Sequence, residues 1–376
     1  MRHAAFIHSA EVEKYSYPPG CPFKTQRATR TREILDSMGL LTGHDRFEAP
    51  PAAAGRKDLE RFHTARYLDV LKAASRGQVG EEGLHMGLGS PDCPMFRDMY
   101  DYPVLAAGGT LTAARLVLDG QAHVAFNPSG GYHHAGPEHA AGFCYINDVA
   151  LACLLLADTH DRVMFLDMDV HHCDGVQDAF YGRRDILTLS LHESGKTLFP
   201  GTGAETEIGA GEGRGYTVNV PLPVGTYDEA YVRAFSEIAI PLIHAYDPGV
   251  IVMELGMDAL AGDPLAHLNL TNNAYAEVVS LVMGFGKPLV ATGGGGYNVD
   301  NATRGWALAW SVLCGETGHD DMAVGLGGVM LESTEWHGGL RDRALITHGG
   351  HRDSVDRELS RVLEFLKREV FPLHGI

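Results

Sequence analysis

From about residue 104 onward, short apolar runs alternate with helix-like patterns along the chain. "VLAAGGTLTAARLVL" (104–118) predicts a helix and "HVAFN" (123–127) a strand. The same reading makes "NDVALACLLLA" (147–157) helical and "RVMFLDMDV" (162–170) a buried strand. "DILTLSLH" (185–192) and "YTVNVPL" (216–222) are strands, followed by one long helix over 227–246. "GVIVMEL" (249–255) and "PLVATG" (288–293) are strands, with helices at 272–285 and 301–313. Short, β-rich, wholly apolar runs separated by helices indicate a parallel sheet covered on both faces, the α/β class. A last helix, about 353–370, carries Val355, Leu359, Val362, Leu363, Leu366 and Val370 at helical spacing and is expected to dock on the body.

Length alone, 376 residues, would allow two or three domains. No repeat, linker or composition break divides the pattern, so one domain over 1–376 is expected. Polar residues also recur at successive strand ends: an Asp/His cluster, His192, Asp258, then "GGGGY". Open α/β sheets place their sites at that edge.

Composition narrows the function classes. Apolar residues make up 45% and charged residues 21%, ordinary for a soluble globular protein. The longest apolar run, "VALACLLLA" (149–157), is too short to span a bilayer. The first residues lack the apolar core and cleavage site of a secretion signal, so a cytoplasmic location is expected. Six cysteines without any CxxC argue against a thiolate zinc site and a disulfide scaffold. Cys93 and Cys144 are read as free thiols, with any redox role left open. The net charge of −18 and the lack of a Lys/Arg-rich run disfavour nucleic acid. They favour cationic partners such as lysine-bearing peptides or polyamines.

Four stretches carry chemistry. "DMDVHHCDG" (167–175) crowds three carboxylates and two imidazoles between apolar flanks. Residues two apart share one face of a strand, so Asp167, Asp169 and His171 point together. Carboxylates on one side repel unless a cation sits between them, and buried charge is costly unless paired. "ELGMDALAGD" (254–263) places Asp258 just past a strand. Alone it would be a cap or turn residue; beside the first cluster it becomes a ligand. "GGYHHAGPEHAAGFCYIND" (130–148) presents tandem His133 and His134 in a glycine-rich loop, better explained by acid–base work than by structure. "ATGGGGYNVD" (291–300) sets Tyr297 after four glycines, without the Lys–Ser/Thr of a phosphate loop. Asp169, His171 and Asp258 together supply one nitrogen and two oxygens with open positions, suited to catalytic Zn²⁺ or Fe²⁺. Asp167 and Asp174 remain to orient the histidines.

These blocks, with "LSLHESGKTLFPGTG" (189–203), "GYTVNVPLP" (215–223) and "LGMDALAGDP" (255–264), resemble the signatures of the histone deacetylase superfamily. The resemblance is closest to class I enzymes and to bacterial deacetylase-like and acetoin-utilization proteins. It covers about residues 1–315, leaving about 316–376 as a C-terminal extension. It implies the arginase/deacetylase fold, one α/β domain around an eight-stranded parallel sheet. By the resemblance, Asp169, His171 and Asp258 are zinc ligands. His133 and His134 are the tandem histidines, with Asp167 and Asp174 as their partners, and Tyr297 is the phenol facing the substrate carbonyl. Gly142, Phe143 and Phe199 line an acyl-lysine tunnel, Leu265 lies at its mouth, and Asp92 is a rim aspartate binding substrate backbone. A structural K⁺ is implied at Asp167, Ser190 and the carbonyls of Asp169, His171 and Leu191. Cys173 replaces the Gly of eukaryotic class I sequences, as in bacterial relatives, and Tyr297 argues against the class IIa type, which has His there.

The chemistry so implied is hydrolysis of an acyl amide on lysine, in a protein or peptide. Acetylpolyamine hydrolysis uses the same core and stays open. An arginase-type ureohydrolase would need a second metal, for which residues 254–263 offer only Asp258 and Asp263. A non-catalytic acyl-lysine binding module is disfavoured, because every catalytic position is filled.

Overall fold

The computed structural model describes residues 3–316 and 339–376. Eight strands form one parallel sheet: β1 (Ala4–Ile7), β2 (Arg46–Ala49), β3 (Val124–Asn127), β4 (Val163–Asp167), β5 (Ile186–Glu193), β6 (Thr217–Leu222), β7 (Val250–Glu254) and β8 (Leu289–Thr292). Their order is β2-β1-β3-β8-β7-β4-β5-β6. All pairings are parallel, so every C-terminal strand end reaches the same edge. β4, β7 and β8 lie near the middle, and Asp167 stands opposite Glu254 on one side and Ser190 on the other.

β3 to β8 fall where the apolar runs predict them. β1 and β2 carry no such prediction. Each is four residues long, too short for a period to emerge; "AAFI" is wholly buried and "RFEA" only partly so. Pairing to β3 through β1 makes them strands. The helix expected over 227–246 is also not uniform. Asp228–Ala234 and Ile240–Tyr246 are α-helical, and Phe235–Ala239 between them is a π turn. Pro241 supplies no N–H to the turn before it, and a wider turn accommodates its ring.

Apolar helices cover both sheet faces. Trp306 and Trp310, on the helix Val299–Leu313, are buried and donate to the carbonyls of Leu255 (2.6 Å) and Leu40 (2.8 Å). The C-terminal helix Gly349–Glu369 buries Val355, Leu359, Val362, Leu363 and Leu366 against β6 and the helix Asp228–Ala234. Of the extension, residues 317–338 lie outside the described residues. Among the described residues no helix is long and apolar enough to cross a membrane.

Candidate active site

β4 ends at Asp167, so Asp169 and His171 stand in the loop beyond it rather than on the strand face expected for them. The loop keeps their alternation by another means. Asp167 Oδ1 accepts the amide of Asp169 (2.9 Å), and Asp169 Oδ1 accepts that of His171 (2.9 Å). Asp258 Oδ1 accepts the amide of Val170 (3.0 Å), tying the loop after β7 to the loop after β4. His171 Nδ1 then lies 3.2 Å from Asp169 Oδ1 and 3.0 Å from Asp258 Oδ2. The three ligand atoms fall within 4.8 Å of one another, all buried. Against the cost of burial, the two carboxylates raise the His171 pKa to about 10. Burial and neighbouring Asp169 raise that of Asp258 to about 7. Two buried carboxylates around one imidazole favour positive charge between them.

Backbone without side chains lets these groups close up. A Cβ on Gly256 would sit 2.0 Å from Asp169 Oδ2, and one on Gly295 1.9 Å from Asp258 Oδ2. The Gly295 amide donates to Asp169 Oδ2 (2.6 Å). Gly294 and Gly296 adopt φ of +146° and +128°, open to glycine alone. Arg27, buried and far upstream, donates to the carbonyls of Gly296 (2.8 Å) and Gly294 (3.0 Å). Nothing in its local sequence marks it for this task.

The tandem histidines meet the expected carboxylates. His133 Nδ1 is 2.9 Å from Asp167 Oδ2, and His134 Nδ1 is 2.7 Å from Asp174 Oδ1. Their Nε2 atoms face each other at 3.0 Å. Their loop is held by Asp148, which accepts the amides of Gly131 and Tyr132, and by Asn147, whose amide group donates to the carbonyls of His133 and Ala135. Burial, then the neighbouring His133, lowers the His134 pKa to about 4. His133 is raised well above its usual range, because Glu254, Asp167 and Asp169 outweigh its burial. Glu254 was not anticipated. It is fully buried, stands 3.3 Å from His133 Nδ1, and has no hydrogen-bond partner on either oxygen. With His133 and Asp169 it forms a second group of metal-ligand type. Its only sequence signal is a charged residue closing the apolar run "GVIVM".

The remaining predicted residues gather unevenly. Tyr297 packs 5.7 Å from the Phe143 ring and 6.3 Å from that of His171. Phe199, 45% exposed, lies 5.0 Å from His134. Gly142 lies against His134, where a Cβ would come within 2.3 Å of the ring. Asp92 holds the loop of Gly142 and Phe143, accepting the Gly142 amide on its side chain (2.9 Å) and the Phe143 amide on its carbonyl (3.0 Å). Leu265 is tied by its amide to Asp263 Oδ1 (2.9 Å). Ser190 Oγ lies 2.7 Å from His192 Nδ1, and neighbouring Leu191 is buried. Cys93 and Cys144 are buried, and burial raises both thiols.

Comparison with known proteins gives the family of the chain. Residues 21–313 match the family model described as Histone deacetylase domain. Histone deacetylase 3 of Oryza sativa subsp. japonica is 39% identical over 317 residues; the match covers 84% of this chain and 62% of the rice protein. The acetoin utilization protein AcuC of Bacillus subtilis is 38% identical over 329 residues, 85% of this chain and 84% of that one. The crystal structure of an HDAC homologue from Aquifex aeolicus superposes with a TM-score of 0.87 at 31% identity, covering 96% of this chain and 99% of its own. An HDAC homologue complexed with SAHA gives the same score and identity. With a family model across most of its length, relatives near 40% identity and the eight-stranded fold in common, the chain belongs to the histone deacetylase family of hydrolases.

Proposed function

We propose that this protein is a zinc-dependent amidohydrolase that removes acetyl or other short acyl groups from lysine side chains. The observation that carries the reading is the convergence of His134 and Tyr297 on the Asp169–His171–Asp258 group, beside the exposed ring of Phe199. One nitrogen and two oxygens within 4.8 Å of one another fit Zn²⁺, and Fe²⁺ suits the same donors. When bound, such an ion supplies Lewis-acid polarisation of the carbonyl and a water of lowered pKa.

The chain's own residues do the rest. Asp174 holds His134 by Nδ1, which leaves Nε2, facing His133 Nε2, as its unprotonated nitrogen. With its pKa depressed by burial, His134 is neutral at pH 7 and ready to take the proton of the attacking water. It later returns that proton to the leaving lysine amine. His133, held by Asp167, carries the charge that balances the step. The phenol of Tyr297 donates to the developing oxyanion. Phe143, Phe199 and Gly142 bound the narrow approach, Leu265 stands at its mouth, and Asp92 braces the loop that lines it and meets substrate backbone.

A potassium ion is proposed beneath this site. The carbonyls of Asp169 and His171 accept no hydrogen bond from any described residue, and orphan buried carbonyls call for a partner. His192 Nε2 faces the Gly203 carbonyl (2.9 Å) and must carry hydrogen. Its Nδ1 is then an acceptor, so Ser190 Oγ–H donates to it and keeps its lone pairs for a cation. Asp167 and the Leu191 carbonyl complete the proposed set. A cytoplasmic location goes with this reading, and the net charge of −18 suits cationic substrates.

The test measures acetate release from acetyl-lysine peptides and from acetylpolyamines, before and after chelation. Activity should disappear on chelation and return with Zn²⁺ or Fe²⁺. Asp258→Ala should lose both metal and turnover while remaining folded. Turnover indifferent to chelation would sink the reading; turnover confined to polyamines would reassign the substrate.

A further inference from the structure

We propose that Asp263 is a positioning residue that aims Tyr297, joining the catalytic phenol to the mouth of the acyl tunnel; this rests on the function proposed above. By sequence Asp263 is a spare carboxylate near Asp258, available to a second metal. Its surroundings describe another task. Asp263 is buried, and both its oxygens are taken by backbone amides. Oδ2 accepts the amide of Tyr297 at 2.7 Å and that of Asn298 at 3.3 Å. Oδ1 accepts the amide of Leu265 at 2.9 Å. The carboxylate also sits at the N-terminus of the helix Val299–Leu313, where negative charge is favoured.

The need for such an anchor follows from what precedes Tyr297. Gly293–Gly296 impose no side-chain constraint, and two of them use φ values only glycine adopts readily. Arg27 restrains their carbonyls and Asp169 restrains the Gly295 amide. Neither touches the Tyr297 amide, whose direction sets the start of the side chain; Asp263 does. A second link closes the same seam: Asn301 Nδ2 donates to the Ala261 carbonyl (3.1 Å), and Asn298 Oδ1 accepts the Asn301 amide (3.2 Å). Segments 261–265 and 297–301 therefore form one rigid corner. One end carries Leu265, the other the phenol. Because misplacement of a catalytic group by about 1 Å costs about 10²-fold in rate, this corner governs kcat through Tyr297 and substrate fit through Leu265.

Two measurements test it. The first needs no activity: with 3-fluorotyrosine at position 297, the ¹⁹F spectrum of the wild-type background should show one narrow resonance. Asp263→Ala should broaden or split it, and Asp263→Asn, which keeps one carbonyl acceptor, should do so less. The second is a double-mutant cycle on zinc-loaded protein with an acetyl-lysine peptide. Asp263→Ala should lower kcat about 10- to 100-fold with metal content unchanged. In the Tyr297→Phe background the same change should move kcat less than about two-fold, while its effect on KM through Leu265 persists. An unaltered fluorine spectrum, loss of metal, or an equal kcat loss in both backgrounds would each overturn the assignment. If the wild-type protein deacetylates nothing, the catalytic reading falls, and the spectrum alone decides whether Asp263 orders Tyr297.

Discussion

Tyr297 shows how one side chain separates catalysis from packing. Its ring lies among Phe143 and His171, so its body packs whatever its hydroxyl does. Tyr297→Phe removes the hydroxyl alone. If the phenol stabilises the oxyanion, kcat should fall by about 10²–10³-fold, the loss typical of one oxyanion donor. KM should move far less, because the hydrogen bond strengthens only in the transition state. Steady-state kinetics normalised to bound zinc check this, and a wild-type kcat would leave the residue a packing role. Two other residues at this scale were not assigned a role from the sequence. Arg27 lies some 270 positions from the carbonyls it holds, and Glu254 acquires meaning only because β7 lies beside β4.

Between residues and fold stand the elements that keep the histidine loop in place. Asn147 caps the helix Asp148–Leu156 through the Ala150 amide (2.8 Å) while its own amide group holds the carbonyls of His133 and Ala135. Its backbone N–H donates to His63 Nε2 at 2.9 Å, which requires that nitrogen to be unprotonated. Burial lowers the His63 pKa to about 4, below its ordinary 6.5. Below about pH 6.5 the unfolded chain therefore binds a proton that the native state refuses. Stability is lost as pH falls from 6.5 toward 4, by about 2 kcal/mol at pH 5 for this one group. His63→Gln keeps an acceptor for Asn147 without titrating. Urea unfolding at pH 7 and pH 5 should find the variant's acid loss smaller by that amount; equal losses would mean that His63 is protonated in the native state.

For the molecule as a whole, the C-terminal helix is structural cladding. It lies along β6, an edge strand that would otherwise leave its outer face uncovered. Five of its apolar side chains are almost wholly buried, each contributing about 1.5–3 kcal/mol when removed from water. Their sum rivals the whole net stability of a typical domain, about 5–15 kcal/mol. Its polar ties, such as Tyr227 Oη to Asp356 (2.7 Å), set the register. Deleting residues 349–376 should yield insoluble or unfolded protein. Arg361→Ala, which removes the ion pairs of a half-exposed arginine with Glu205 and Glu358, should cost no more than about 1 kcal/mol. Solubility and melting curves distinguish these outcomes, and a soluble truncated chain with an unchanged melting temperature would refute the cladding role.

What the sequence determined by itself was whatever is written in local order. Six of the eight strands and the helices between them follow from runs of apolar residues long enough to show a period. The proposed ligand pair Asp169 and His171 and the tandem histidines follow from chemistry concentrated within a few positions, whereas the role proposed for Tyr297 came from resemblance to a family. The strand count came from resemblance to a family, as did the proposed tunnel residues and potassium site, since no local pattern carries them. Tertiary structure alone decided the rest, because it depends on contacts between distant segments. β1 and β2 are strands only because β1 pairs with β3 and β2 with β1, and a π turn interrupts a pattern that reads as one helix. Asp169 and His171 belong to a loop whose turns imitate strand alternation. Asp263, Glu254, Arg27 and His63 resemble ordinary polar residues in sequence. Their roles come from desolvation, which makes an unpaired charge or amide costly and thereby ties each to a partner that only the folded chain brings near.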